Sequence, residues 1–338
     1  MQEALFIGYG EGKIIRQLIV EIRNNKKLIL LFVIATTGMQ AITIVPFMFV
    51  HDVYPDYYDT ILSSAFDCDL HTRNILKWSV HCISFQLTGY PNALIMPFAI
   101  GLVPLTYLLG YYLTKDRLIG LLAMIGLTIN PLYSNWISTG TYDQMWTFFL
   151  LLSVVLIFKE TKSSFVSWII AGISKSMAIM YFPMWFYTVW KIRKDYDMLV
   201  ISGLLIALFV TILIYTDITH QLIGSKIEFQ PEDWADALVG NLSVFLVTIP
   251  YLALFAVVNC FFVPKNKVTN KMLVVWWMLF VFATVPIIRL FSDQQTYTYR
   301  YTILGTFMSI FFAIVLVELG NFIVETKLKM RIKKTNSF

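Results

Sequence analysis

Ten apolar runs, most of them close to the length of a bilayer crossing, set the limits on what this chain can become. They lie near 28–50, 91–113, 118–137, 143–158, 165–174, 177–190, 197–215, 238–263, 272–290 and 301–324, separated by short polar connections. A helix needs roughly 20 consecutive apolar residues to cross the hydrocarbon core. Across all 338 residues only 14% are charged, whereas soluble domains average about 25%. A surface this apolar is not kept in water. The chain therefore reads as all-α: a polytopic membrane helix bundle of about ten membrane helices. Tyr and Trp near segment ends, such as Trp136, Trp190 and Tyr215, suit the membrane interface.

The basic residues orient the bundle. With the N-terminus inside and the sides alternating, the stretches around 13–27, 115–117, 159–162, 191–194, 265–271 and 327–334 fall inside. They carry twenty of the 26 Lys and Arg residues, the bias that cytoplasmic loops show. The expected organisation is a cytoplasmic segment 1–27, a transmembrane domain 28–324 and a basic cytoplasmic tail 325–338. Loops 51–90 and 216–237 are expected on the external side. No cleavable signal peptide is visible, because the first apolar run begins near Leu28 and is long enough to span. Dispersed basic residues and a net charge of +5 point away from nucleic acid.

One segment breaks the alternation. "SFVSWIIAGISKSMAIMYFPMWFYTVW" (164–190) has basic flanks at both ends, so a single crossing cannot satisfy both. Two short helices, 165–174 and 177–190, satisfy them if the chain turns at Ser174–Ser176. Such a half-deep turn is tolerated where it is buried in protein or lines a wet cavity. The expected hairpin, 165–190, thus has Lys175 near its tip, where a lysine costs about 2.5–3.5 kcal/mol on insertion scales.

Loop 51–90 is long for a compact protein and so is either functional or partly helical. It opens "HDVYPDYYDTILSSAFDCDLHTRN", with five Asp residues and two His in a chain that has 21 acidic residues and four His. Cys68 and Cys82 can pair if this loop faces an oxidising side; free thiols are the alternative. Asp67, Asp69 and His71, with His51 and His81 nearby, are residue types that bind Zn, Mn or Cu, but no established metal spacing is present.

Several stretches together resemble the GT-C glycosyltransferases. "KDRLIGLLAMIGLTINPLYSNWISTGTYDQMWTFFLLLSVVLIF" (115–158) is similar to that family's central region, with Pro131, Gly140, Tyr142 and Asp143 at its marker positions. "AGISKSMAIMYFP" (171–183) resembles its Gly…Lys…Pro element, one residue shorter between Gly172 and Lys175. "TYRYTILGTFMSIFFAIVLVEL" (298–319) resembles its late Arg-Tyr span, and "YPDYYDTILSSA" (54–65) its acidic first external loop. The pattern departs from the family in lacking a soluble C-terminal domain and a paired Asp-Glu.

The resemblance implies a dolichyl- or polyprenyl-phosphate-dependent hexosyltransferase, such as a mannosyltransferase. It would take a lipid-phosphate sugar and an unidentified glycan, lipid or protein acceptor on the external face of the cell membrane. A carboxylate would take the acceptor's proton; Asp56 is the first candidate and Asp52 the second. Cations would stabilise the departing phosphate, with Lys175, Arg289 and Arg300 the candidates. Tyr142 and Asp143 would orient a substrate, although Asp143 also suits a helix start. A divalent ion, Mg or Mn, is compatible with this chemistry. A non-catalytic or transport-type membrane subunit is the rival reading.

Overall fold

The computed structural model describes residues 24–46, 65–68, 75–130, 143–215, 270–290 and 302–335, together with positions 20, 62–63 and 133. Among them regular structure is helical throughout. The helices are α1 (Lys26–Ile44), α2 (Ile75–Thr88), α3 (Met96–Thr114), α4 (Arg117–Thr128), α5 (Asp143–Ile157), α6 (Thr161–Ser174), α7 (Phe182–Ile192), α8 (Tyr196–Tyr215), α9 (Lys271–Leu290) and α10 (Thr302–Thr335), with a 3-10 turn, Ser176–Tyr181, before α7. Nine of the ten expected apolar segments have a helical counterpart here. Segment 238–263 and loop 216–237 lie outside the described residues. The tenth helix, α2, falls instead in the expected loop 51–90, which is therefore partly helical.

Among the described residues three helices are long and apolar enough to cross a membrane: α1, α3 and the first 20 residues of α10. Helices α4, α5, α8 and α9 contribute shorter apolar stretches. Large apolar side chains face outward along α1 (Leu31, Ile34, Ile42) and α8 (Leu204, Leu208). Contiguous apolar exposure on this scale marks an interaction or membrane surface. The described residues thus form an all-helical bundle compatible with a membrane protein.

Tight connections make α3 and α4 antiparallel, as they do α5 and α6. Between α3 and α4, Lys115 adopts a left-handed φ of 59° and Asp116 caps α4, its Oδ1 accepting from the Leu118 amide at 2.9 Å. The pair can close because Gly110 and Gly120 face each other; a Cβ on Gly120 would lie 2.8 Å from the Tyr107 carbonyl oxygen. Helix α4 then packs antiparallel on α10, with Asn130 Nδ2 donating to the Gly305 carbonyl and Gly126 against Ser309. The expected span 118–137 is cut short at Thr128, just before Asn130-Pro131, where proline disfavours helix in the preceding residue.

Two ends of the bundle can be told apart. At one gather Lys115, near the Phe158 ring, Asn270, whose Nδ2 donates to the Leu113 carbonyl at 3.1 Å, and the Lys271–Glu318 ion pair at 2.7 Å. All of these belong to stretches expected inside or to their helix ends. At the other end lie the start of α3, the end of α4, the start of α5 and Lys175. Helix α10 is continuous to Thr335, about 51 Å at the usual rise, so the expected tail begins as a helical extension. Its Lys, Arg, Leu and Met residues are good helix formers, and charge alone does not end a helix.

Candidate functional site

The site is built on the 165–190 hairpin. Helix α6 ends at Ser174, Lys175 is extended (φ −155°, ψ 122°), and the chain returns through the 3-10 turn into α7, whose first turn holds Pro183. The arms close on each other in antiparallel register. Trp185 Nε1 donates to Ser164 Oγ at 2.8 Å, Trp168 meets Phe182 at 5.2 Å between ring centroids, and Gly172 faces Ile179. The turn expected at Ser174–Ser176 is therefore present.

A second register fixes what the tip faces. Ser164 Oγ donates to the Ser153 carbonyl and Ser167 Oγ to the Phe149 carbonyl, so α6 and α5 run antiparallel. Continuing that register brings Ser174–Lys175 level with the first turn of α5, which starts at Asp143. Lys175 is only 6% exposed, and its Nζ lies 5.9 Å from the centroid of the Trp146 ring. An ammonium within about 6 Å of an aromatic face is attracted by the ring quadrupole. Trp146 in turn stacks on Tyr181 at 5.9 Å, from the far side of the 3-10 turn. Thr147, one helical turn after Asp143, is buried with no hydrogen-bond partner on its Oγ1.

Helix α9 closes the third side. Trp277 Nε1 donates to Thr188 Oγ1 at 3.0 Å, and Phe280 packs edge-on against Tyr181. This antiparallel pairing with α7 carries the last turn of α9, and with it Arg289, toward the Lys175 end. Three of the seven candidate residues, Lys175, Asp143 and Arg289, are thereby placed by the backbone at one end of the bundle. Asp52, Asp56, Tyr142 and Arg300 lie outside the described residues.

Beside this site, helix α2 carries one pairing that the sequence had left open and two buried residues that it had not placed. Cys68 and Cys82 form a disulfide, pinning the 65–68 turn to α2. Lys77 and His81 are buried on the same helix. The signal was present in the spacing of Lys77, Trp78, His81 and Ser84, one buried helical face inside a stretch read as loop. Among the described residues no three His, Cys, Asp or Glu side chains gather as a metal site; His51, Asp69 and His71 lie outside them.

Against protein-family models, curated proteins and solved structures, the chain matches none.

Proposed function

We propose that this chain is an integral membrane glycosyltransferase. It moves a sugar from a polyprenyl-phosphate donor to an acceptor hydroxyl at the Lys175 end of the bundle, on the external face of the cell membrane. One observation carries the reading: a lysine is buried at a helix break, over Trp146, beside the helix start that bears Asp143. A buried cation in an apolar bundle is costly, and in membrane proteins such charges mark ligand pathways. An anionic phosphate at a water-poor surface is the ligand that such a cation, together with Arg289 and Arg300, fits.

In the proposed step the acceptor oxygen bonds to the anomeric carbon as the carbon–oxygen bond to phosphate breaks. The hydroxyl proton passes to a carboxylate, Asp56 before Asp52, and the electron pair leaves on the polyprenyl phosphate. Lys175 offsets the charge that develops there. The external orientation is supported by the Cys68–Cys82 disulfide, because such bonds persist on oxidising sides of membranes.

The test is sugar transfer in membranes carrying the full chain, supplied with radiolabelled polyprenyl-phosphate hexoses. Lys175→Ala is expected to weaken binding of an isoprenyl phosphate. Asp56→Asn is expected to lower transfer about 10²–10⁴-fold while binding survives, the range for lost general acid–base catalysis. Binding without transfer in the wild type would instead establish the non-catalytic or transport-type subunit.

A further inference from the structure

Lys77 and His81 stand one turn apart on α2, 3% and 0% exposed, and neither belongs to the site above. Lys77 Nζ lies 3.9 Å from the centroid of the Trp78 ring, and that ring lies 6.1 Å from the imidazole. His81 Nδ1 is 2.9 Å from the Pro91 carbonyl oxygen. A carbonyl only accepts, so Nδ1 carries the proton and Nε2 presents a lone pair. Nε2 is buried and has no hydrogen-bond partner. Burial first, and the Lys77 ammonium second, lower the pKa of His81 to about 4, which keeps the ring neutral and Nε2 an acceptor.

The position of this atom ties it to the Lys175 end. Helix α2 packs against α6. Its second half grips the turn that leads into α3: Ser84 Oγ donates to the Tyr90 carbonyl at 2.7 Å and accepts from the Leu94 amide at 3.0 Å. Helices α3 and α5 run side by side in parallel, Phe98 against Phe148 and Tyr112 against Phe158. That register sets the 89–95 turn level with the start of α5, so α2 bridges the helix ends around Asp143 and Lys175.

We infer that His81 Nε2 is a hydroxyl-binding atom, accepting a hydrogen bond from a sugar or other polyol admitted beneath α2. The chemistry selects the ligand. A metal ion or an ammonium is repelled by Lys77, and a phosphate ester at neutral pH has little proton to donate. A hydroxyl has one, and is uncharged. The inference rests on the glycosyltransferase reading for what that hydroxyl is: part of the donor sugar or of the acceptor.

The test uses the full chain in lipid nanodiscs with ¹⁵N-labelled histidine, four residues in all. His81→Phe identifies the His81 signals. The expected wild-type spectrum shows the Nδ1–H tautomer, with an Nε2 resonance that moves on adding a panel of methyl hexosides and stays still with inorganic phosphate. His81→Phe should weaken hexoside binding at least tenfold and leave isoprenyl-phosphate binding unchanged. An Nε2 resonance that no hexoside moves overturns the inference, and the wild-type spectrum decides this even if the variant fails to fold. The two proposals fail separately. Wild-type protein that does not bind isoprenyl phosphate but shows the Nε2 shift retains the hydroxyl site and loses the glycosyltransferase reading. The reverse pattern removes the hydroxyl site alone.

Discussion

Breaking the Cys68–Cys82 bond should free the 65–68 turn and loosen α2 without unfolding the bundle. The bond spans a sequence separation of 14 residues. In the chain-entropy account, closing a loop of this size contributes about 3 kcal/mol. Little else among the described residues holds the 65–68 turn to α2: an edge-on Phe66–Phe85 contact at 5.9 Å and a long Gln86–Cys68 contact. Cys68 also sits at φ 50°, a left-handed conformation uncommon for a residue with a side chain, so the freed turn has reason to relax. At about 1.4 kcal/mol per factor of ten, 3 kcal/mol corresponds to roughly a hundredfold more frequent opening. Hydrogen exchange should register this in amides of 75–88 after Cys82→Ser, with α3 to α6 unchanged. Maleimide mass-tagging of the denatured wild type should add one tag before reduction, at Cys260, and three after it. Three tags before reduction, or unaltered exchange in 75–88, would refute the reasoning.

Other outcomes follow from single contacts. His81 is held neutral with its pKa lowered to about 4 from 6.5, so between those values the unfolded chain binds the proton and the folded one does not. Stability should therefore fall as pH drops from 6.5 toward 4, by roughly 3 kcal/mol in all, and His81→Phe should flatten that slope in thermal melts. Gly120→Val would drive a side chain into the Tyr107 carbonyl and cost about 1–3 kcal/mol, read as a lowered Tm in detergent. Cysteines placed at Gly172 and Ile179 should cross-link on oxidation, since the arms touch there; no cross-link would mean that the hairpin is open. Trp185→Phe should lose the hydrogen bond to Ser164 and about 1 kcal/mol.

The hairpin was legible from charge: Lys159 and Lys162 on one flank and Lys191, Arg193 and Lys194 on the other suggested a chain that turns back, and α6 and α7 do turn back on each other. Apolar length likewise located α1, α3, α5, α8, α9 and α10 to within a few residues at most of their ends. What composition could not convey was depth. Helix α2 is neither long nor uniformly apolar, and its Lys77, His81 and Ser84 read as loop chemistry until the helix is wound and they fall on one covered face. Nor did Lys175 disclose its neighbour. Its meeting with Trp146 depends on the α5–α6 register, set by the Ser164 and Ser167 bonds to carbonyls one helix away. The carboxylates that drew attention first, Asp52 and Asp56, were singled out by resemblance and not by any packing signal in the sequence.

The close packing of α10 against α4 has a consequence for how the protein is made. Asn130 and Gly305 are joined across 175 residues of chain, and Ile303, Phe307, Met308, Phe311 and Ile314 of α10 are all buried. At translation rates of 5–20 residues per second, α4 leaves the ribosome about 10–35 s before its partner. During that interval the face of α4 that bears Gly126 lacks the helix that will cover it. Assembly of the centre is thus delayed until α10 arrives, and shortening the chain at 301 would remove the keystone of the bundle along with its C-terminal extension.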